Sequence, residues 1–217
     1  MTASELIFDI NNSVLAPEAK KILAHIVESL NLDEINQDDN ATVVGAINAA
    51  TGLSVDIERF GNFATLTFTL NAVSIPVTDA AASGSSGSLK IFDFVQAGIQ
   101  PLASRQDYTA FAEGAALTGG AGDAAFVMGL GSVAANAADG DLTGTEVDFA
   151  PKTGTITLSG GTATATKFGG QGTAVDGTGT AADLYLNWSG TAATIDANST
   201  ISVTGTITIV VALLGDD

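Results

Sequence analysis

Small polar and apolar residues alternate along STISVTGTITIVVALLGDD, residues 199–217. Ile201, Val203, Ile207, Ile209, Val211 and Leu213 fall on one side of such a strand. Ser202, Thr204, Thr206 and Thr208 fall on the other. A period of two is that of a strand with one buried face. From Val210 the pattern changes, because Val210, Ala212 and Leu214 continue the polar side with apolar residues. An apolar patch on a solvent face signals a partner. The pattern therefore predicts that Val210, Ala212 and Leu214 are covered, by another part of the chain or by a second copy.

The same alternation recurs from about residue 62 onward. Leu66, Phe68 and Leu70 alternate with Thr65, Thr67 and Thr69, and Val73, Ile75 and Val77 continue after Asn71-Ala72. Pro76 lies on the opposite side and has no N–H for a ladder, which predicts an edge or a bulge. AAASGSSGS reads as a loop, and Leu89–Val95, Tyr108–Phe111 and Ala124–Val133 read as strands. Ile156 and Leu158 lead through Gly160-Gly161, a predicted hairpin turn, into TATAT, and Leu184, Leu186 and Trp188 mark another strand. About eight to ten strands separated by Gly, Asp and Asn loops predict a mainly β fold: an antiparallel β-sandwich, jelly-roll-like or Greek key.

The first 61 residues follow a different period. Ala19, Ile22, Leu23, Ile26 and Leu30 fall on one side of a helix opening at Ala16-Pro17, with Glu18, Lys21, His25 and Glu28 opposite. A second short helix is expected from Ala41 to about Ala50, capped by Asn40 and stopped by Thr51-Gly52. The expected organisation is thus a helical N-terminal arm over 1–61 and a β-sandwich domain over 62–217. A stripe this small cannot be buried within the arm. Ile22, Leu23, Ile26 and Leu30 are therefore the expected counterparts of Val210, Ala212 and Leu214.

Charge narrows the partners. Lys and Arg number 7 against 24 Asp and Glu in 217 residues, a net charge of −17. Phosphate backbones and anionic membrane surfaces both call for clustered cations, so neither nucleic acid nor membrane is an expected partner. The N-terminus lacks the basic start and long apolar core of a signal peptide, and Ile207–Leu214 is far shorter than the roughly 20 residues of a spanning helix. Synthesis in a cytoplasm is expected.

Candidate chemistry is sparse. The chain has no Cys, which excludes disulfides, zinc–thiolate sites and thiol nucleophiles. Its one histidine, His25, sits on the polar side of the first helix with no nucleophile at a triad spacing. Asp139-Gly140-Asp141, with Glu146 nearby, offers oxygens but not the EF-hand spacing, and reads better as an acidic turn. Gly129-Leu130-Gly131 lacks a βαβ context and reads as a strand bend. Asn11, Asn40, Asn187 and Asn198 begin N-x-S/T sequons of the kind that Thr-rich chains contain by chance. No catalytic residue, cofactor or metal is expected.

Residues 41–50, ATVVGAINAA, resemble the T-x-V-x-A-I-N-E-L element of tailed-bacteriophage structural proteins, with Ala49 and Ala50 in place of its Glu-Leu. The stretches ATLTFTLNAVSIPVTDAA (64–81), DGDLTGTEVDF (139–149), DLYLNWSG (183–190) and TISVTGTITIVVALLGD (200–216) are similar to phage head proteins of the decoration, or cement, type. The resemblance implies a virion protein on the outer capsid surface. It would bind the assembled major capsid protein and stiffen the shell, often as a homotrimer, with no catalytic residues. Alternatives are a fibre, tail or receptor-binding protein and, from another class, an adhesin or carbohydrate-binding module, which would need a secretion signal and exposed aromatic rings.

Overall fold

A computed structural model describes residues 45–79, 84–95, 98–113, 123–136, 141–159, 164–177, 182–190 and 198–214. The first helix and its stripe, His25 and Asp139 lie outside these residues. Within them the chain is almost entirely strand: β1 (Gly45–Ile47), β2 (Leu53–Phe60), β3 (Phe63–Asp79), β4 (Ser85–Phe94), β5 (Ile99–Glu113), β6 (Asp123–Gly131), β7 (Ile156–Ser159), β8 (Ala165–Gly169), β9 (Ala182–Gly190) and β10 (Ser199–Leu213), with one 3-10 turn at Gly144–Glu146. All pairings are antiparallel, and the sheet order is β7-β6-β9-β4-β3-β10-β5-β8, with β1 added to β4 and β2 to β3.

This sheet curls until its two edges meet. Residues 149–153 extend the β7 edge along β6, through Phe149 N–H to Leu130 O (3.1 Å) and Thr153 N–H to Met128 O (2.7 Å). Residues 172–175 extend the β8 edge along β5, through Gly172 N–H to Pro101 O (3.0 Å) and Val175 N–H to Ile99 O (2.8 Å). Thr173 N–H then donates to Asp148 O (3.0 Å) and joins the two edges. The result is a nearly closed eight-stranded barrel, consistent with a jelly-roll or Greek-key sandwich.

The core is the inward parity of the strands. Leu66, Phe68, Leu70, Val73, Ile75 and Val77 of β3 are buried, as are Leu184, Leu186 and Trp188 of β9. Ile201, Val203, Ile207, Ile209, Val211 and Leu213 of β10 are buried as well. Two aromatic runs fill the interior: Phe68, Phe92, Phe94 and Phe149, and Tyr108, Phe111, Phe126 and Trp188, with neighbouring ring centroids 4.9–5.8 Å apart. The switch of inward parity from Leu70 to Val73 is a bulge. Asn71 and Ala72 together face Thr204, whose hydroxyl accepts from Ala72 N–H (3.1 Å), and Ala72 takes a positive φ of 53°. Thr109 is the matching extra residue on β5, so the long strands β3, β10 and β5 bend at one level.

Four sequence expectations are corrected here. Gly45–Ile47 is a strand on β4 and not part of a helix over 41–50, because Gly45 lies flush against Asp93 and Phe92, where a Cβ would collide. The sheet therefore starts before residue 62, since β2 pairs along its whole length with β3 through the Phe60-Gly61-Asn62-Phe63 hairpin, where Gly61 supplies φ +57°. Ser85–Ser88 belong to β4 and not to a loop. Gly87 faces Val77 across the pair, where a Cβ would lie 2.5 Å from Pro76 O, so only a small residue fits. β7 and β8 do not pair as the expected hairpin, because β7 pairs with β6 and β8 with β5 on opposite edges of the sheet; Gly160-Gly161 lie outside the described residues.

Candidate assembly surface

The barrel has two ends. β3 begins, and β4 and β10 finish, at one of them, here called the base. Its outermost row runs Phe60–Phe63–Ala212–Gln100 across β2, β3, β10 and β5, and the next row runs Glu58–Thr65–Val210–Ala103. Leu213 N–H donates to Asn62 O and Leu214 N–H to Gly98 O, both at 2.7 Å, which fixes the end of β10 against the hairpin and the start of β5.

Apolar side chains gather at this end. Phe60 is 86% exposed, Leu214 57%, Phe63 49% and Val95, just past the end of β4, 44%. Ile47 of β1, which pairs with Phe92 short of the end of β4, Val133 and Phe168 are the other large exposed apolar residues among the described residues. Of the residues expected to meet a partner, Val210 and Ala212 are half-buried and Leu214 is exposed. Ile22, Leu23, Ile26 and Leu30 lie outside the described residues. Phe60 and Phe63 were not anticipated, yet parity could have found them. Leu53, Val55 and Ile57 face inward on β2, which sends Phe60 outward, and Leu66 and Phe68 do the same for Phe63.

The flank formed by β6, β9 and β4 is organised differently. Asn187 points outward by parity and is nonetheless fully buried, because residues 133–135 and Glu146 of the 3-10 turn lie over it. Its amide nitrogen donates to Val133 O (2.9 Å) and Glu146 O (2.8 Å), and its oxygen accepts from the Ser88 hydroxyl (2.8 Å) and Ala135 N–H (3.0 Å). All of its hydrogen-bonding capacity is thereby used. Gly129 and Gly131 let the 3-10 turn and Val147 lie against β6, since a Cβ on Gly131 would collide with Thr145 and Glu146, and one on Gly129 would lie 2.6 Å from Val147. They are sites of close approach and not a strand bend. The Asn187 sequon is sealed inside this contact.

Several titratable groups are engaged with specific partners. The Lys152 ammonium bonds both oxygens of Asp141 and holds that carboxyl below its usual range, against the opposing effect of partial burial. The buried Glu146 carboxylate accepts from Asn136 N–H and from Thr143 N–H (2.9 Å). On the outer side of β4 and β9, Lys90 meets Asp93 (2.8 Å) and Asp183 (3.2 Å), and the Tyr185 hydroxyl donates to Asp183 (2.8 Å). Hydrogen bonds to Asp93 and Asp183 raise the Lys90 pKa, and the bond to Asp183 raises that of Tyr185. Burial works to raise Asp183, but its hydrogen bonds from Tyr185 and Lys90 and the Lys90 charge outweigh this and hold it low. Inside the barrel, the Tyr108 hydroxyl donates to Gln106 Oε1 and Gln106 Nε2 to Pro151 O, both at 2.8 Å, and burial pushes the Tyr108 phenol far up. These are structural pairings. Among the described residues no group of three or more His, Cys, Asp or Glu could hold a metal, and no helix is long and apolar enough to cross a membrane. A shallow cavity of about 200 Å³ at the barrel seam, between residues 147–151 and 170–172, brings no such group together.

No family model matches the sequence, and no curated protein matches it. Among solved structures, the chain is similar to arabinose-bound MgGH51 α-L-arabinofuranosidase, with 10% identity and a TM-score of 0.35 over 82% of this chain. The match spans 28% of that enzyme.

Proposed function

We propose that this protein is a virion structural protein of the capsid decoration, or cement, type. It is made in the host cytoplasm, binds the major capsid protein on the outside of the assembled phage head and stabilises the shell, as a homotrimer. The base of the barrel, together with the N-terminal region that enters there, forms its attachment end. The observation that carries the reading is the gathering of Phe60, Phe63, Val95 and Leu214 at one end of the barrel. Contiguous exposed apolar surface signals a partner, and the reading requires no catalysis. The acidic remainder of the surface keeps unassembled copies apart in solution.

Quantitative mass spectrometry of purified virions tests this. Hundreds of copies per particle are expected, tens would favour a fibre or tail protein, and presence only in the infected-cell lysate would refute a virion role. A carbohydrate-binding module is a second reading, favoured by the exposed rings of Phe60, Phe63 and Phe168, the last of which stacks under Arg105 at 5.6 Å. Specific binding on a glycan array, lost in Phe168→Ala, would establish it over the first.

A further inference from the structure

We infer that the base of the barrel is the docking surface for the chain's own N-terminal segment, residues 16–30, laid across Phe60, Phe63 and Leu214. The direction of entry carries this. β1 pairs antiparallel with β4 in the register Gly45↔Phe94 and Ile47↔Phe92, so the chain preceding Gly45 approaches from beyond the end of β4. That end is the base, because four residues after Phe94 the carbonyl of Gly98 accepts from Leu214 N–H at 2.7 Å. Gly45 and Leu214 are thus at most about 25 Å apart along a path of one strand pair, four residues and one hydrogen-bonded contact.

The chain before Gly45 contains a complementary surface within reach. Ala19, Ile22, Leu23, Ile26 and Leu30 share one side at helical spacing. The linker from Leu30 to Gly45 can extend to about 50 Å, twice the distance required. Tethering raises the local concentration of the segment to the millimolar range, far above that of any second copy in dilute solution. Charge points the same way. Two copies meeting base to base would each bring a net charge of −17, whereas the chain's own segment adds none that the protein does not already carry. Val95, 44% exposed, follows Phe94 on the path from the point of entry to Gly98 and Leu214, and extends the apolar surface toward the incoming segment. This docking is independent of which particle, if any, the protein decorates.

The chain lacks cysteine, so an engineered pair reports without background. In the full chain, Ile26→Cys combined with Phe60→Cys, under mild oxidation, is expected to give an intramolecular disulfide in most molecules. Non-reducing electrophoresis would show it at monomer mass. The control pair, Ile26→Cys with Thr78→Cys at the opposite end of β3, is expected to yield at least about five-fold less. Both barrel positions are exposed and tolerate substitution. A disulfide-linked dimer from the first pair, without the intramolecular product, would overturn the inference in favour of a second copy. Equal yields from the two pairs, or none from either, would overturn it outright. As a second readout, Ile22→Asp with Ile26→Asp is expected to raise hydrophobic-dye fluorescence several-fold while leaving the far-ultraviolet β signal intact. An unchanged dye signal would count against docking.

Discussion

Replacing Asn187 by aspartate exchanges one amide nitrogen for oxygen and keeps the shape. In the native protein that nitrogen donates to Val133 O at 2.9 Å and to Glu146 O at 2.8 Å in a fully buried position. The new carboxylate would face two carbonyl oxygens with no proton to offer. Loss of two hydrogen bonds at about 1 kcal/mol each, together with desolvation of the orphaned acceptors at about 1–3 kcal/mol, gives a cost of about 3–5 kcal/mol at neutral pH. That is a large share of the roughly 5–15 kcal/mol that holds a domain folded. Protonation relieves part of it, since a neutral carboxyl can donate to one of the two carbonyls. The folded-state pKa of the new group must therefore lie above its unfolded value of about 3.9. With more protons bound in the folded state, the variant's stability relative to wild type falls by about 1.4 kcal/mol per pH unit between those two pKa values and is flat above the higher one. Urea titrations of Asn187→Asp, Asn187→Ala and wild type from pH 4 to 8 measure this. The alanine variant is expected to lose about 2–3 kcal/mol without the added pH slope. An aspartate variant within 1 kcal/mol of wild type at pH 7, or one with no excess slope, would refute the clamping role assigned to Asn187.

Three further outcomes follow from the same geometry. The protein's two tyrosines both have raised pKa values, Tyr108 by burial and Tyr185 chiefly by its bond to Asp183, so absorbance near 295 nm at pH 10 should show less tyrosinate in the folded protein than after unfolding; equal ionisation of the folded and unfolded protein at pH 10 would contradict this. Because the folded state keeps those protons, stability should decline as pH rises past the unfolded tyrosine pKa of about 10. Gly131→Ala should displace the segment over β6 and cost about 2–3 kcal/mol by thermal unfolding, because the added methyl meets Thr145 and Glu146 backbone; a neutral effect would show that the segment is not held there. Lys152→Met should cost under about 1 kcal/mol at pH 7, since both partners are some 40% exposed. That difference should vanish as pH falls below about 4 through the depressed Asp141 pKa, and a difference that persists in acid would contradict the pairing.

How far the sequence revealed this molecule depends on what fills the inward positions. Where they are large and apolar, as in Leu66–Phe68–Leu70, Leu184–Leu186–Trp188 and the whole of β10, period two located both the strand and its buried side. Even the change of parity at Asn71-Ala72 is written in the chain. Where inward positions are polar or small, the signal disappears. β5 runs from Ile99 to Glu113, but its inward Ser104 and Gln106 hid all but the stretch around Tyr108–Phe111. Gly87 hid the start of β4 in the same way. The burial of Asn187 depends on a distant segment crossing the outer side of the sheet, and no local period records that. At the base, Leu214 was visible as a break in the polar side of β10. Phe60 and Phe63 join it only once the β2–β3 hairpin register is known.

The claim at the centre of this account is that the base of the barrel is an attachment end. Cryo-electron microscopy of the native particle tests it most directly, by locating the barrel and asking what covers Phe60, Phe63, Val210 and Leu214. The account predicts barrels on the outer face of the shell with the base turned toward it and these four residues buried beneath the N-terminal segment or the capsid surface. Particles without the barrel, or barrels whose base points into solvent with Phe60 and Leu214 bare, would contradict it.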